Sequence, residues 1–416
     1  MEGFNNVTFD GTLARFGGTD PNDNSGMIRY LRLEFGGLAF EPNKEINGLT
    51  LGAVGVGTEL NHVQVSFSGD DSYEWFGGTV NSAHLISWKT TDDDFDTDNG
   101  FNGLNQFGIG VRDSSYYDLT YNAASGASTS EGFESDNEAT GTASVKPYTS
   151  AIFSNYTMIG AIPVGSTYAN ASSTVKAAFR RGARIRRNSS LRIVNSIFMG
   201  YRNFVLIDGD SSVRNTNHPA ALALLTPNSA VDLQTKQVFF ANNLILNTSA
   251  AYTTAGDTTA NGLAEVARAA GCNDKLTAIT SWVRQTGDLA NNIDPVPFAA
   301  GTVLVEPLAS SLTPNFRPVA GSPALTGGNF RNNPILYNLC TDASEVEKAQ
   351  FAPIYPNPIT NGTLFFGRVV ASYGIFDVSG KLIQYGFETD HIFLSDLAKG
   401  IYFVKLDGKM QKLVVQ

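Results

Sequence analysis

At 416 residues, with only 16% of them charged and 41 of them glycine, the chain is too long for one ordinary core and too glycine-rich for a helix bundle; it suits turn-rich β structure, as an extended repeat domain plus a smaller module. The formal net charge is -10, and residues 352–416 hold six Lys or Arg against five Asp or Glu, so the acidity belongs to the body. Such a body repels nucleic acid and anionic membrane, and no apolar run approaches the roughly 20 residues of a transmembrane segment.

Met1 to Asn6 has neither the basic start nor the apolar stretch of a signal peptide. From Met27 onward six segments repeat one pattern, alternating apolar residues closed by a glycine, asparagine or polar turn: MIRYLRLEFGG (27–37), LNHVQVSFSG (60–69), AHLISWKTT (83–91), AIFSNYTMIG (151–160), SLRIVNSIFMG (190–200) and VFFANNLILN (238–247). Corresponding points such as Tyr30, His62 and His84 lie 32 and 22 residues apart, so the period is not constant. A right-handed parallel β-helix tolerates this, because each rung needs only short strands while the turns between rungs hold insertions. The expected fold class is therefore all-β, a solenoid body followed by a small immunoglobulin-like sandwich. Asn155, Asn195 and Asn243 precede apolar runs and read either as a ladder bonding adjacent coils or as independent turn residues.

The densest acidic stretch is Asp92 to Asp98. In an extended strand Asp94, Asp96 and Asp98 share a face, where like charges oppose folding unless a cation or arginine neutralises them. A calcium site on Asp92, Asp94, Asp96 and Asp98 is one reading; a solvated acidic loop and an arginine-neutralised patch are the others. It is no EF-hand, since position six from Asp94 is Asn99 and position twelve is Asn105. Candidate neutralisers crowd together at Arg180, Arg181, Arg184, Arg186, Arg187 and Arg192. If their rung stacks near Asp70, Asp71, Glu134 or Asp136, guanidinium forks cap those carboxylates; the functional alternative is a basic strip at Arg184 and Arg186 gripping carboxylated or sulfated glycan. Trp75, with Tyr73, Phe76 and Trp88, reads either as core or as a sugar-stacking face.

The segments Ile46 to Thr50, Ser68 to Gly78, Asp92 to Phe101, Gly132 to Asn137 and Ile185 to Ser189 resemble a group of uncharacterised Bacteroidetes surface proteins. The resemblance spans roughly Asn24 to Gly209 and implies a β-helix without an established activity. Asp70 and Asp71 invite comparison with polygalacturonase-type β-helix hydrolases, but the Gly-His-Gly and Arg-Ile-Lys of those enzymes are missing, Arg184-Ile185-Arg186 being the nearest match to the second. A calcium-dependent polysaccharide lyase or glycoside hydrolase using Asp70, Asp71, Asp94 and Arg186 stands as the catalytic alternative. No phosphate loop, nucleophile elbow or zinc-type cysteine pair occurs.

Beyond the rungs, Gly262 to Ala270 and Lys275 to Arg284 have helical periodicity, which predicts a helical insertion near 260–285 within a body covering 1–340. Cys272 and Cys340 read as a disulfide worth about 4 kcal/mol or as two buried thiols. Phe316-Arg317-Pro318 and Gly321 to Leu325 resemble the closing turn of many secreted β-helix proteins. Residues 341–351 read as a linker.

The last stretch, 352–416, carries Tyr355-Pro356-Asn357-Pro358, then Asp377-Val378-Ser379-Gly380-Lys381, then Gly400-Ile401-Tyr402-Phe403-Val404-Lys405, and a terminus from Lys412 to Gln416. The two prolines mark where the linker ends, and the near-continuous apolar run of Ile401 to Leu406 suits a strand covered on both faces. Four elements in this order resemble the type A C-terminal sorting domain of Bacteroidetes type IX secretion cargo. The resemblance implies export through the outer-membrane translocon and its attachment machinery, ending in an extracellular or cell-surface location. Such a cargo carries a signal peptide, so the expectation is a fragment or a processed form. The leading functional expectation is a non-catalytic surface protein serving adhesion or contact with acidic or host polysaccharide.

Overall fold

The computed structural model describes residues 15–37, 46–117, 129–142, 145–163, 166, 170–216, 238–247, 264–267, 293–297, 303–305, 315–325, 354–360, 362–378, 381–394, 397–406 and 409–416. The chain divides into two compact units, Met1–Asn329 and Phe330–Gln416.

In the first unit long and short strands alternate: β1 (Met27–Glu34), β2 (Leu49–Gly52), β3 (Glu59–Ser66), β4 (Tyr73–Phe76), β5 (Asn81–Trp88), β6 (Phe95–Asp98), β7 (Leu104–Val111), β8 (Phe133–Ser135) and β9 (Ile152–Ile159). There follow a short helix α1 (Ser173–Ala178), then β10 (Arg181–Ile185), β11 (Arg192–Val194), β12 (Ile197–Met199), β13 (Asn203–Asp208), helix α2 (Asp210–Asn215), β14 (Phe239–Ala241), β15 (Leu244–Asn247), β16 (Ala264–Ala267) and β17 (Ile293–Pro297). Successive strands go to two different sheets. One sheet runs β1-β3-β5-β7-β9-β12-β15-β17, with β11 and β14 beside this path, and the other runs β16-β13-β10-β8-β6-β4-β2. Every pairing described within these two sheets is parallel, which is the arrangement of a parallel β-helix.

The register stacks like on like. Tyr73 lies opposite Phe95 and Phe95 opposite Phe133, so three rings form an inward column with centroids 5.4 and 5.3 Å apart. Trp75 stacks on Phe101 at 5.3 Å and is 0% exposed, so it belongs to the core and presents no face to a sugar. The buried Tyr73 hydroxyl is satisfied by donating to the carbonyls of Val63 and Ile86.

The long strands share a bend. At their fourth residue Tyr30, His62, His84, Phe107 and Asn155 have φ between 54° and 62°, and Asn195 (51°) and Asn242 (55°) continue the column on later coils. Asparagine tolerates this left-handed geometry, whereas Tyr, His and Phe are strained there by about 1–2 kcal/mol. The strain is offset by contact: the rings of Tyr30, His62, His84 and Phe107 stack consecutively at 4.6, 4.2 and 5.2 Å. The last member of this column is Asn242, while Asn243 makes the inter-coil amide bonds expected of a ladder asparagine. Asn243 sits beside the column, and its amide accepts from the Ser196 N–H at 3.0 Å and donates to the Ile193 carbonyl at 2.9 Å of the previous coil.

One segment departs from its local periodicity. Ala264–Ala267, inside the stretch that reads as helical, is strand β16, pairing Val205 with Ala264 and Ile207 with Val266. The open edge of β13 supplies backbone partners that outweigh the modest helix preference of an Ala-rich tetrapeptide. The rest of 260–285, both cysteines and the 341–351 linker lie outside the described residues.

In the second unit β18 (Gly362–Phe376), β19 (Leu382–Leu394), β20 (Gly400–Leu406) and β21 (Lys409–Val415) form one antiparallel sheet in the order β19-β18-β20-β21. Isolated bridges add Tyr355 to Phe365 and Ile359 to Val415, an arrangement compatible with an immunoglobulin-like module. Its core gathers Leu364, Phe366, Ile375, Val404 and Leu413. β20 is covered on one face only: Val404 and Leu406 are buried while Ile401 is 43% exposed. No helix among the described residues is long and apolar enough to cross a membrane.

Candidate functional site

The chemistry of the body concentrates on the outer side of the β2-to-β16 sheet, where the register collects acids from chain positions 22 to 50 residues apart into columns. Glu74 lies opposite Asp96, Asp96 opposite Glu134, and Glu134 opposite Arg184. One turn earlier Asp71, Asp93 and Glu131 occupy equivalent places beside Arg181. Here each acid captures the next coil's amide: Asp71 Oδ1 accepts from Asp93 N–H at 2.7 Å, Asp93 Oδ1 from Glu131 N–H, and Glu131 Oε2 from Arg181 N–H at 2.8 Å. A third column joins Asp98, Asp136 and Arg186, with Asp136 N–H donating to the Thr97 carbonyl and Arg186 N–H to that of Ser135.

Each column ends on an arginine of β10 or the residue after it. Arg181 Nη1 lies 2.9 Å from Glu131 Oε1. Arg184 bridges Glu134 (3.4 Å) and Asp208 (3.0 Å). Arg186 holds Glu134 with one nitrogen and Asp136 with another at 2.7 Å, and Arg187 reaches the second Asp136 oxygen at 2.6 Å. The arginine cap expected from the sequence therefore exists for Glu134 and Asp136, and it extends to Glu131. Burial pushes the Glu134 and Asp136 carboxyls up against the pull of Arg186, while those two carboxylates raise Arg186 further above its already high range.

Farther from β10 the acids crowd one another. Asp70, Asp71 and Asp92 can bring one oxygen each within 4.8 Å of one another, as can Asp71, Glu74 and Asp96, and Asp93, Asp96 and Glu134. Shared members link the three sets into one strip. Burial first, then neighbouring carboxylates, hold Asp71, Asp93 and Asp96 well above the usual carboxylate range. Asp96 Oδ1 is buried and accepts no hydrogen bond, while Asn47 Nδ2 donates to Glu74. A cluster of hard, closely spaced oxygens of this kind fits a divalent cation such as Ca²⁺.

Of the four acids proposed from sequence as metal ligands, Asp92 and Asp96 lie in this strip and Asp94 and Asp98 do not. The period-two argument fails at Asp94 because β6 begins only at Phe95. Asp94 turns inward, accepts from Ser87 Oγ at 2.5 Å and pairs with Arg112 Nε at 3.0 Å, with both side chains fully buried. Asp98 accepts from the backbone N–H of Asn99. Of the catalytic alternative, Asp70 and Asp71 share one cluster, whereas Asp94 and Arg186 are engaged elsewhere. The residues missed by sequence reasoning are Arg112 and Glu131, the second being the acid that Arg181 caps. Arg112 had a signal, being the lone arginine between Arg32 and Arg180.

In the second unit the sequence motifs mark joints. Asn357 Nδ2 donates to the Lys412 carbonyl at 2.7 Å, and its Oδ1 accepts from Val414 N–H at 2.9 Å, so the segment Tyr355-Pro356-Asn357-Pro358 clasps β21. Tyr355 stacks on Phe365 at 5.6 Å. Asp377 Oδ1 accepts from Lys381 N–H at 3.0 Å, closing the β18–β19 turn; Gly380 lies outside the described residues. Gly400 opens β20 opposite Val415, and the Tyr402 hydroxyl donates to the Ala398 carbonyl.

Two alternating parallel sheets with charged columns on one outer face, plus an antiparallel C-terminal module, define a parallel β-helix protein with an appended small domain. Residues 4–285 match the family of pectate-lyase-like beta helix domains, and the chain belongs to that family. Residues 353–416 match the secretion system C-terminal sorting domain. The protein is thus a type IX secretion cargo, directed out of the cell or to its surface and interacting with that secretion machinery. No curated protein and no solved structure matches the chain.

Proposed function

We propose that the protein is a non-catalytic β-helix displayed on or released from the cell surface, contacting glycan, with its acidic strip clamped between coils by a calcium ion. The observation that carries the non-catalytic reading is the commitment of the arginines. The lyase alternative casts Arg186 as the base that loses its proton and accepts the one it abstracts, yet Arg186 is held between Glu134 and Asp136, which drive its proton affinity up. Asp94 is equally committed, to Arg112. The neighbouring strip brings hard oxygens from successive coils together, the donor set a structural calcium ion takes.

Incubating the purified protein with acidic polysaccharides, with and without calcium, and following the ultraviolet absorbance of unsaturated uronate tests this. No release is expected. Turnover lost in Arg186→Lys would overturn the reading in favour of the calcium-dependent lyase.

A further inference from the structure

In the second unit, alternate residues of β19 (Ile383, Tyr385, Phe387, Thr389, His391 and Phe393) share one face of the strand, while Ile392 and Leu394 turn to the core. On this outer face Tyr385, Phe387 and Phe393 are 66, 69 and 64% exposed. Tyr385 and Phe387 meet edge to face at 6.2 Å, so their rings order each other and leave the outer side of the pair open.

The register carries the same face across the sheet. Gly374 of β18 lies opposite Tyr385 on one side and Lys405 of β20 on the other. Lys405 in turn lies opposite Met410 of β21, and Phe403 opposite Lys412. With no side chain at Gly374, Tyr385 and Lys405 border a shallow trough, and Lys405, Met410 and Lys412 are exposed beyond it. Single exposed apolar residues are ordinary, but a contiguous row with a polar rim marks a contact surface.

The face also carries charge of one sign. Among the described residues on it there is no Asp or Glu, and neither Lys405 nor Lys412 has a carboxylate partner. His391 is taken by its neighbour Asp390, Nδ1 to Oδ1 2.6 Å.

We propose that this open face is where the secretion machinery holds the module, and that the partner is a protein surface of apolar side chains bordered by carboxylates. That the module meets this machinery follows from its family; the face and the chemistry of the partner come from the exposed row. Aromatic residues and methionine are the side chains that protein interfaces favour, whereas two lysines fall short of the four to eight basic residues by which an anionic membrane is held. A second copy docked through the same face brings four lysines together and no acid. Four strands span about 14 Å and the β19 row about 34 Å, a face of at most about 500 Å². That is below the roughly 800 Å² per partner of a stable complex, so the contact is a transient one, as a cargo that must be let go requires.

Export of the full chain behind a signal peptide, in a host with a type IX system, tests the assignment. Tyr385→Ser/Phe387→Ser and, separately, Lys405→Glu should each cut the share of chain reaching the surface or medium by about tenfold, with the rest held in the periplasm. The thermal midpoints of the purified variants should match the parent's, and Lys405→Arg, which keeps the charge, should be exported like the parent. So should Val378→Ser, which removes an equally exposed apolar side chain just beyond β18. Normal export of both face variants overturns the proposal. A defect shared by Val378→Ser, or one confined to Tyr385→Ser/Phe387→Ser with a lowered midpoint, overturns it too, because lost apolar surface or unfolding then explains the retention. Flotation of the purified parent with phosphatidylglycerol vesicles, abolished by Lys405→Glu, assigns the face to lipid, and concentration-dependent dimers abolished by the double variant assign it to a second copy; either result overturns the protein partner.

Discussion

Arg112 and Asp94 form a fully buried ion pair, Nε to Oδ2 3.0 Å, and the same guanidinium donates to the carbonyls of Thr90, Asp92 and Glu131. One side chain thus joins β7 to the turns before β6 and β8 and compensates the one acid of the 92–98 run that faces the interior. Removing Arg112 strands that charge. Arg112→Leu should lower stability by about 3–5 kcal/mol at neutral pH, the usual cost of leaving a buried partner alone. Urea denaturation would check this, and because protonating Asp94 removes the stranded charge, the loss should shrink by pH 5. A loss independent of pH would mean that packing, and not the ion pair, is what Arg112 supplies.

The direction of the body's pH dependence follows from its buried acids. Burial raises Asp94 to about 6 despite Arg112, and Asp71, Asp93 and Asp96 lie well above their ordinary range. For an acid whose pKa is higher in the folded state, the unfolded chain gives up its proton first as pH climbs. Stability is therefore full below about pH 4 for these groups and falls as pH rises through their folded values. Asp94 alone accounts for about 3 kcal/mol of that fall. In chelator, the denaturation midpoint should be higher at pH 5 than at pH 8. A midpoint that rises across that interval would contradict the raised folded-state values of these acids.

The rungs were legible in the sequence because inward and outward positions alternate within each one, and Tyr30, His62 and His84 do occupy one register. The bend was not legible, since a left-handed residue is signalled by asparagine at Asn155, Asn195 and Asn242 but by nothing at Phe107 or His84, where stacking substitutes for propensity. The charged columns were half visible. Arginines near Glu134 and Asp136 could be anticipated from composition, but Asp71, Asp93, Glu131 and Arg181 are separated by 22, 38 and 50 residues, and turns of unequal length hide which acids share a column. Asp94 was misplaced because alternation was extended one residue beyond the strand. The helical reading of Ala264–Ala267 failed for a related reason: four residues carry too little preference to resist a waiting strand edge.

A cation on the strip makes a prediction of opposite sign to the pH effect. Calcium competes with protons for the same oxygens, so it should raise the midpoint of thermal unfolding at pH 7 to 8 and do little at pH 5. At 100 times its dissociation constant the gain is about 2.7 kcal/mol, or roughly 4 °C for a unit of this size. Magnesium, which keeps its own waters, should do less. Asp96→Asn should abolish the shift and Asp98→Asn should leave it, because Asp96 belongs to two of the oxygen clusters and Asp98 to none. Equal shifts in both variants would place the ion elsewhere.

The sorting module offers the sharpest single-residue test. Asn357 satisfies one carbonyl and one amide of β21, from Lys412 and Val414, and those two bonds tie the Tyr355–Pro358 segment to the last strand of the sheet. Asn357→Ala removes both at once, at about 1 kcal/mol per bond plus the unmet backbone groups. Asn357→Asp keeps the acceptor for Val414 N–H but sets a carboxylate oxygen against the Lys412 carbonyl, so it should be worse than a simple loss of one bond. Limited proteolysis of the full chain should accordingly release β21 fastest in Asn357→Asp, next in Asn357→Ala, and slowest in the parent. A module whose C-terminal strand resists cleavage equally in all three would show that Ile359 pairing with Val415, and not the asparagine clasp, holds the terminus.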